Sequence, residues 1–319
     1  MYVGFVVKNA LNCNKYSIIF SGKVNKVTKL IVTLIQGISL GSIYALIAIG
    51  YTMVYGIAKM LNFAHGDIIM VGAYVIYSSV ALAHCAPVTG ILISVASCAL
   101  LGIIIEYLAY RPLRRASSLS VLITAIGVSY FLQNVALLIF GSEPKSVPSL
   151  FNIPAIHLGS SITITGETLL TLGLTVIIMV ALTFFINKTK LGYAMRAVSE
   201  DKDAATLMGI NVNRTISITF AIGSVLAAFA SLCYGISYTY IKPTTGSMPG
   251  IKAFTAAVFG GIGSVPGAML GGILLGVIEK LSMAYISTQF TDAVVFGVLI
   301  LVLIIKPTGL LGKVIREKV

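Results

Sequence analysis

The run NFAHGD, residues 62–67, brings an amide, an imidazole and a carboxylate together in Asn62, His65 and Asp67. Groups of these types can relay a proton, ligate a metal or grip a polar solute. The spacing does not favour a metal: His65, His84 and His157 stand far apart, and no H-E-x-x-H or comparable ligand spacing occurs. No metal and no cofactor are expected. For hydrolysis the candidate nucleophile lies in GISLG, residues 37–41, which fits G-x-S-x-G. That motif works on a sharp strand-to-helix turn, whereas here it sits inside an apolar helical run, so no catalytic residue is expected. A P-loop is also missing, because Gly22-Lys23 and Gly312-Lys313 are each followed by Val. Cys13, Cys85, Cys98 and Cys233 form no C-x-x-C pair and read as small buried hydrophobes.

The elements that must carry these residues follow from composition. Of 319 residues, 57% are hydrophobic and 10% charged, where a soluble globular chain carries roughly 25% charged. So little polar surface cannot cover the chain in water. Apolar stretches near 30–56, 66–83, 88–110, 117–141, 167–187, 214–240, 265–284 and 288–305 are each about long enough, at 1.5 Å per residue, to cross a hydrocarbon core of roughly 30 Å. The expected fold is all-α, a polytopic transmembrane helical bundle in a lipid bilayer. The net charge of +12 could suggest nucleic-acid binding in a soluble protein, but 17 of the 22 basic residues fall in four short segments at the ends of apolar stretches. The excess therefore reads as topology signal, and no nucleic acid is expected.

Those segments are residues 1–29, the turn with Arg111, Arg114 and Arg115, the loop 188–214, and the tail with Lys306, Lys313, Arg316 and Lys318. The positive-inside rule puts all four in the cytoplasm, residues 1–29 as an uncleaved cytoplasmic extension and 30–319 as the transmembrane domain. Three spans between the first pair, and three more between the last pair, cannot return the chain to the same side. Each triplet is expected to contain one more crossing, in the stretches 48–66 and 242–264, both interrupted by glycine. That makes eight long spans plus two short or discontinuous ones. Paired interrupted segments point to broken helices around a transport path, since non-helical backbone at membrane depth must lie inside protein or line a cavity.

On this reading the two stretches meet near the membrane centre and offer Asn62, His65 and Thr255 to the path. If NFAHGD dips into the bilayer, Asp67 would cost roughly 2.5–3.5 kcal/mol unless it faces a cavity or a partner. If it forms a surface turn, Asp67 is a charge near a helix start. Tyr44, Gln133 and Asn134 lie within apolar spans and either line the path or make interhelical hydrogen bonds. Small residues recur at Ala256, Gly260, Ser264, Ala268, Gly272 and Gly276, with a second row at Gly263, Gly267 and Gly271 and a pair at Gly37 and Gly41. In lipid such ladders let backbones approach closely, within a chain or between subunits. Pro266 must bend or start a helix among them.

The loop 188–214 mixes both charge signs with apolar residues at helical spacing, including Ala204, Ala205, Leu207 and Met208. Its acids Glu200, Asp201 and Asp203 disfavour an anionic lipid surface, so a protein partner is the better reading.

Asp203-Ala204-Ala205 followed by Gly209 resembles the E-A-A-x-x-x-G coupling loop of ABC importer permeases, with Asp for Glu and without the later Leu-Pro. GSIYALIAIGYTMVYGIAKMLNFAHGD from Gly41 and GIKAFTAAVFGGIGSVPGAMLGG from Gly250 resemble the two signature regions of the branched-chain amino-acid ABC importer permease family, in its shorter permease subunit. The likeness runs from about residue 30 to the end. It implies a bacterial-type cytoplasmic (inner) membrane protein paired with a second homologous permease, two cytoplasmic ATPase subunits and an extracytoplasmic substrate-binding protein. It also implies an ATPase-coupling role for Asp203, Ala204, Ala205 and Gly209; the substrate path expected from the interrupted stretches and the polar residues of the spans takes in Asn62, His65, Thr255 and Tyr44. Related permeases carry urea, amides and other small polar solutes. A passive channel would need a filter, and an intramembrane hydrolase a nucleophile with a base in reach.

Overall fold

The computed structural model describes residues 26–114, 116–148, 150–151, 153–158 and 162–312. Expectations for residues 1–25, Arg115, Lys313, Arg316 and Lys318 lie outside the described residues. Helix α1 is Lys26–Ala58; α2 is His65–Tyr77, prolonged by a π-helical turn to Leu82; α3 is Pro87–Ile105, prolonged likewise to Tyr110; α4 is Ser118–Phe140. Two-residue strand β1, Lys145–Ser146, precedes a hairpin of β2, Ile156–Leu158, and β3, Ile162–Ile164. Then come α5, Gly166–Lys188, the short α6, Lys190–Glu200, and α7, Lys202–Leu207. Helix α8 is Val212–Ser237; β4, Tyr240–Ile241, pairs antiparallel with β1. The chain closes with α9, Ser247–Gly260, α10, Val265–Tyr285, and α11, Thr291–Ile305.

Seven described helices are long and apolar enough to cross a membrane, and α11 is a shorter apolar helix of 15 residues. The helical bundle is as expected, with the eighth long span contracted to α11. Side-chain caps mark several starts. Ser117 Oγ accepts from Ser120 N, Asn211 Oδ1 from Arg214 N and Ser264 Oγ from Gly267 N, each satisfying a donor that the first helical turn leaves free. Pro266 follows the last of these caps, so it starts α10 and bends nothing.

At the centre, α1 runs antiparallel to α10. A Cβ on Gly41 would stand 2.6 Å from the Ile273 carbonyl oxygen, Gly276 abuts the backbone of Gly41, and Gly272 abuts Ala45. The second glycine row faces another helix: a Cβ on Gly271 would meet the Ala256 carbonyl and Gly260 of α9, and Gly267 presses on Gly260. Both rows are therefore spent inside the chain.

Two expectations are corrected here. Residues 48–58 do not form a separate crossing. They continue α1, because Gly50 and Gly56 lie helical against His65 and Gly263, where absent side chains let neighbours in. The break is confined to 59–64, and in the second half the stretch 242–264 holds a turn followed by the 14-residue helix α9. The second correction concerns Lys26 and Lys29, which belong to α1 and to no separate extension. Lys29 Nζ reaches the Ala284 carbonyl and stands 5.3 Å over the Tyr285 ring at one end of the bundle. At the opposite end the Ala58 carbonyl meets Lys202, Arg114 meets Asn213, and Leu310 and Leu311 donate backbone N–H groups to Phe259 and Gly260. Lys29 and residues 188–214 therefore lie at opposite ends, since one uninterrupted helix of 33 residues, roughly 50 Å long, separates them.

Candidate functional site: two helix breaks and a coupling end

The first break begins where α1 stops at Ala58 and Lys59 takes φ +59, a left-handed value rare outside glycine. Six residues later the chain re-enters helix at His65. That start is deep, because His65 packs on Gly50, eight residues back from the end of α1 and so about 12 Å from it. The second break ends at Gly246, and α9 starts there. The two breaks touch: a Cβ on Gly66 would lie 2.5 Å from the Gly246 carbonyl oxygen and 3.1 Å from Gly250 Cα. Only glycine on both sides permits that approach.

NFAHGD is thus buried and not a surface turn. Asn62 is 2% exposed, and its Oδ1 accepts from Tyr110 Oη at 2.9 Å while Nδ2 has no partner among the described residues. His65 is 1% exposed, edge-on to Tyr51 with ring centroids 4.8 Å apart, and its Nε2 is also unpartnered. Thr255 is buried one side chain away from Phe254, which contacts both Tyr51 and Phe63, but its hydroxyl donates to the Ile251 carbonyl of its own helix at 2.9 Å. Tyr44 is apart from these three. It is buried beside Glu279 of α10. Asp67 accepts from Gln133 Nε2 at 2.9 Å, and the same nitrogen stands 3.2 Å from Ser129 and Ser247 hydroxyls, so Gln133 clasps α2, α4 and α9 together. Asn134 donates to its own helix at Tyr130.

A buried ionic cluster was missed by the sequence reading. Lys252 of α9 pairs with Glu279 at 2.7 Å and with Asp292 of α11 at 2.8 Å. The available signal was Glu279 and Lys252 standing inside apolar stretches, where an ionisable residue needs a partner.

At the end carrying residues 188–214, Thr189 and Asp201 cap α6 and α7; Asp201 Oδ1 accepts from Asp203 N at 2.8 Å and Ala204 N at 3.0 Å. Ala205 faces inward at 3% exposure, while Asp203, Ala204 and Gly209 are exposed, and Leu207 and Met208 stand out at 88% and 82%. Gly209 turns the chain with φ +79. Beneath this platform Glu106, fully buried, accepts from Arg114 and, at 2.6 Å, from Ser217, and Arg114 also donates to Asn213. The arrangement makes a firm base with an apolar tip in water.

The model of a family described as branched-chain amino acid transport system / permease component matches residues 33–303. This chain belongs to that family. Its relatives include the high-affinity branched-chain amino acid transport system permease protein LivH of Escherichia coli strain K12, 48% identical over 89% of this chain and 96% of that protein. The protein of the same name in Salmonella typhimurium is 47% identical over the same shares. BraD of Pseudomonas aeruginosa is 45% identical over 90% of this chain and 97% of its own length. The family member described here is thus an ABC-type amino-acid importer permease and a transport subunit. With seven long apolar helices it is a multi-pass protein of the inner membrane.

Proposed function

We propose that this permease is the shorter of two homologous membrane subunits which, with two cytoplasmic ATPase subunits and an extracytoplasmic binding protein, import branched-chain amino acids. Three relatives named for high-affinity branched-chain amino acid transport, similar over nearly their whole length, support the substrate class. The end carrying residues 188–214 is the cytoplasmic end. Arg111, Arg114 and Lys306 accompany that loop, as the positive-inside rule requires. Lys29 then lies on the outer side.

The mechanism follows from the contact between the two breaks, which is the observation that carries it. Helices α2 and α9 start at membrane depth, and a helix start leaves N–H groups aimed at the break. Those groups suit the carboxylate end of a zwitterion, while the apolar walls accept its side chain without holding it. Asn62 Nδ2 and His65 Nε2, buried and unpartnered, support a place for both residues at the path. Thr255 borders it from α9, while Tyr44, beside Glu279, would meet the solute nearer the other end of α1. ATP binding by the partner subunits would press on Asp203, Ala204, Leu207 and Met208, shift the breaks against one another and exchange outward for inward access, a population shift driven by unequal contacts in the two states.

Reconstitution of the assembled importer in proteoliposomes tests this. Uptake of labelled leucine, isoleucine or valine that requires ATP inside and binding protein outside is the expected result. Uptake without ATP would mark a passive channel, and ATP-driven uptake of urea or amides but not of these amino acids would reassign the substrate.

A further inference from the structure

We propose that Lys202 is the positioning residue that carries motion from the coupling platform into the break that follows α1, by holding the terminal carbonyl of that helix. Its Nζ donates to the Ala58 oxygen at 3.0 Å, across 144 residues of sequence. Ala58 ends α1, where carbonyls lack intrahelical donors and a lysine ammonium is a suitable cap. The next residue is the left-handed Lys59, and the segment it opens leads through Asn62 to His65. The lysine therefore grips the chain at the hinge of the break.

Its position is not the one a free surface lysine would choose. Asp201 and Asp203 flank it in sequence and are exposed, yet among the ion pairs of the described residues neither is joined to it. Instead it turns inward, where burial first, then the nearby charges of Arg114 and Lys59, press its pKa below the usual lysine value, opposed by Asp203. A cation held beside two others must gain from the carbonyl it caps. Helix α7 thus has two faces. Ala204, Leu207 and Met208 point to solvent, while Lys202 and Ala205 point into the permease. A push on the outer face is delivered by the lysine to the end of α1.

This inference rests on the coupling reading of residues 188–214, and the test separates the two. The complete importer, with partner permease, ATPases and binding protein, is reconstituted with Lys202→Met, Lys202→Arg or Leu207→Asp, and ATPase association, ATP hydrolysis and leucine uptake are measured together. Lys202→Met is expected to keep the ATPases bound and hydrolysing at a rate within about twofold of the parent, yet lose about tenfold or more in uptake, so that ATP consumed per leucine rises. Lys202→Arg, which keeps a long cationic donor, is expected to recover at least about half of the uptake. Lys202→Met with parental uptake per ATP, or with uptake and hydrolysis reduced in equal proportion, overturns the inference, as does an Arg variant as inactive as the Met variant. Leu207→Asp is expected to release the ATPases; if it does so while Lys202→Met is silent, the coupling reading stands and only the role of Lys202 falls. If Leu207→Asp changes nothing, the coupling reading fails and takes this inference with it.

Discussion

Gly66 and Gly246, 180 residues apart in the chain, meet backbone to backbone at the two helix breaks, with Gly250 closing the contact from the next turn. The meeting leaves no room for a methyl group on either partner. It is one of the contacts, with that of α1 against α10, that join the first half of the chain to the second.

Gly66→Ala and Gly246→Ala should each force the breaks apart, because the added carbon meets backbone and not the end of a flexible side chain. Overpacking of this kind costs roughly 1–3 kcal/mol. Uptake should fall about tenfold or more, with a lowered unfolding temperature. Gly127→Ala, where nothing lies within 4 Å, is the matched control and should be silent. The chain has no Trp, so unfolding is best followed with a thiol-reactive dye at the buried Cys98 and Cys233. Parental uptake by both breakpoint variants would remove the breaks from the mechanism.

Glu106→Gln should destabilise the coupling end. The carboxylate is fully buried and answers both Arg114 and Ser217, and removing one member of such a pair costs ~3–5 kcal/mol when both are buried. Arg114 retains 16% side-chain exposure, which lets water relieve it and puts the expected loss at or below about 3 kcal/mol. The double variant Glu106→Gln/Arg114→Gln should be more stable than Glu106→Gln alone. If the single variant unfolds at the parental temperature, the pair contributes nothing.

Within the ionic cluster, Lys252→Met should be worse than Asp292→Asn. Losing the lysine leaves Glu279, only 3% exposed at its side chain, as a lone buried charge, whereas Asp292 is half exposed and its removal still leaves the Lys252–Glu279 pair intact. Thermal unfolding of the two variants in detergent ranks them, and the reverse order would contradict the burial argument.

Gly209→Pro should abolish uptake without loss of membrane insertion. Proline fixes φ near −65°, but the turn after α7 needs +79 at this position, so the loop leading into α8 must rearrange. Ala205→Asp should do the same by placing a charge at a 3% exposed inward site. Membrane fractionation and ATP-driven uptake are read together, and normal uptake in either variant would detach these residues from coupling.

Single cysteines replacing Lys29 and Lys306, in a background lacking the native thiols, should react with an impermeant reagent from opposite sides. Lys29 neighbours Ala284 and Tyr285, whereas Lys306 precedes the turn that packs on Phe259 and Gly260 next to the coupling end. Labelling of both from one side would restore an even number of crossings.

The lengths of the apolar runs determined by themselves that the chain is a membrane helical bundle, because about 20 apolar residues have no stable alternative to spanning the bilayer. The stretches 48–66 and 242–264 each contain an interruption, though in the first it falls at 59–64 and not at Gly50 or Gly56, and the spacing of residues 188–207 marked short helices outside the long spans; both are signals carried within a few neighbouring residues. Tertiary structure decided the rest. Whether Gly50 belonged to a break or to a continuous helix depended on His65 needing its space. The two rows of small residues are indistinguishable by spacing, yet Gly272 and Gly276 serve α1 while Gly267 and Gly271 serve α9. Gln133 became a clasp on Asp67, and Lys202 a cap on Ala58, only when helices far apart in sequence came together. That Lys29 and residues 188–214 lie at opposite ends of the bundle was likewise hidden, since charge counting treats every basic cluster alike. In lipid, apolar burial does not choose between helix partners, so those pairings rest on close backbone fit and on matching buried polar groups. Both depend on shape in three dimensions, which local sequence does not specify.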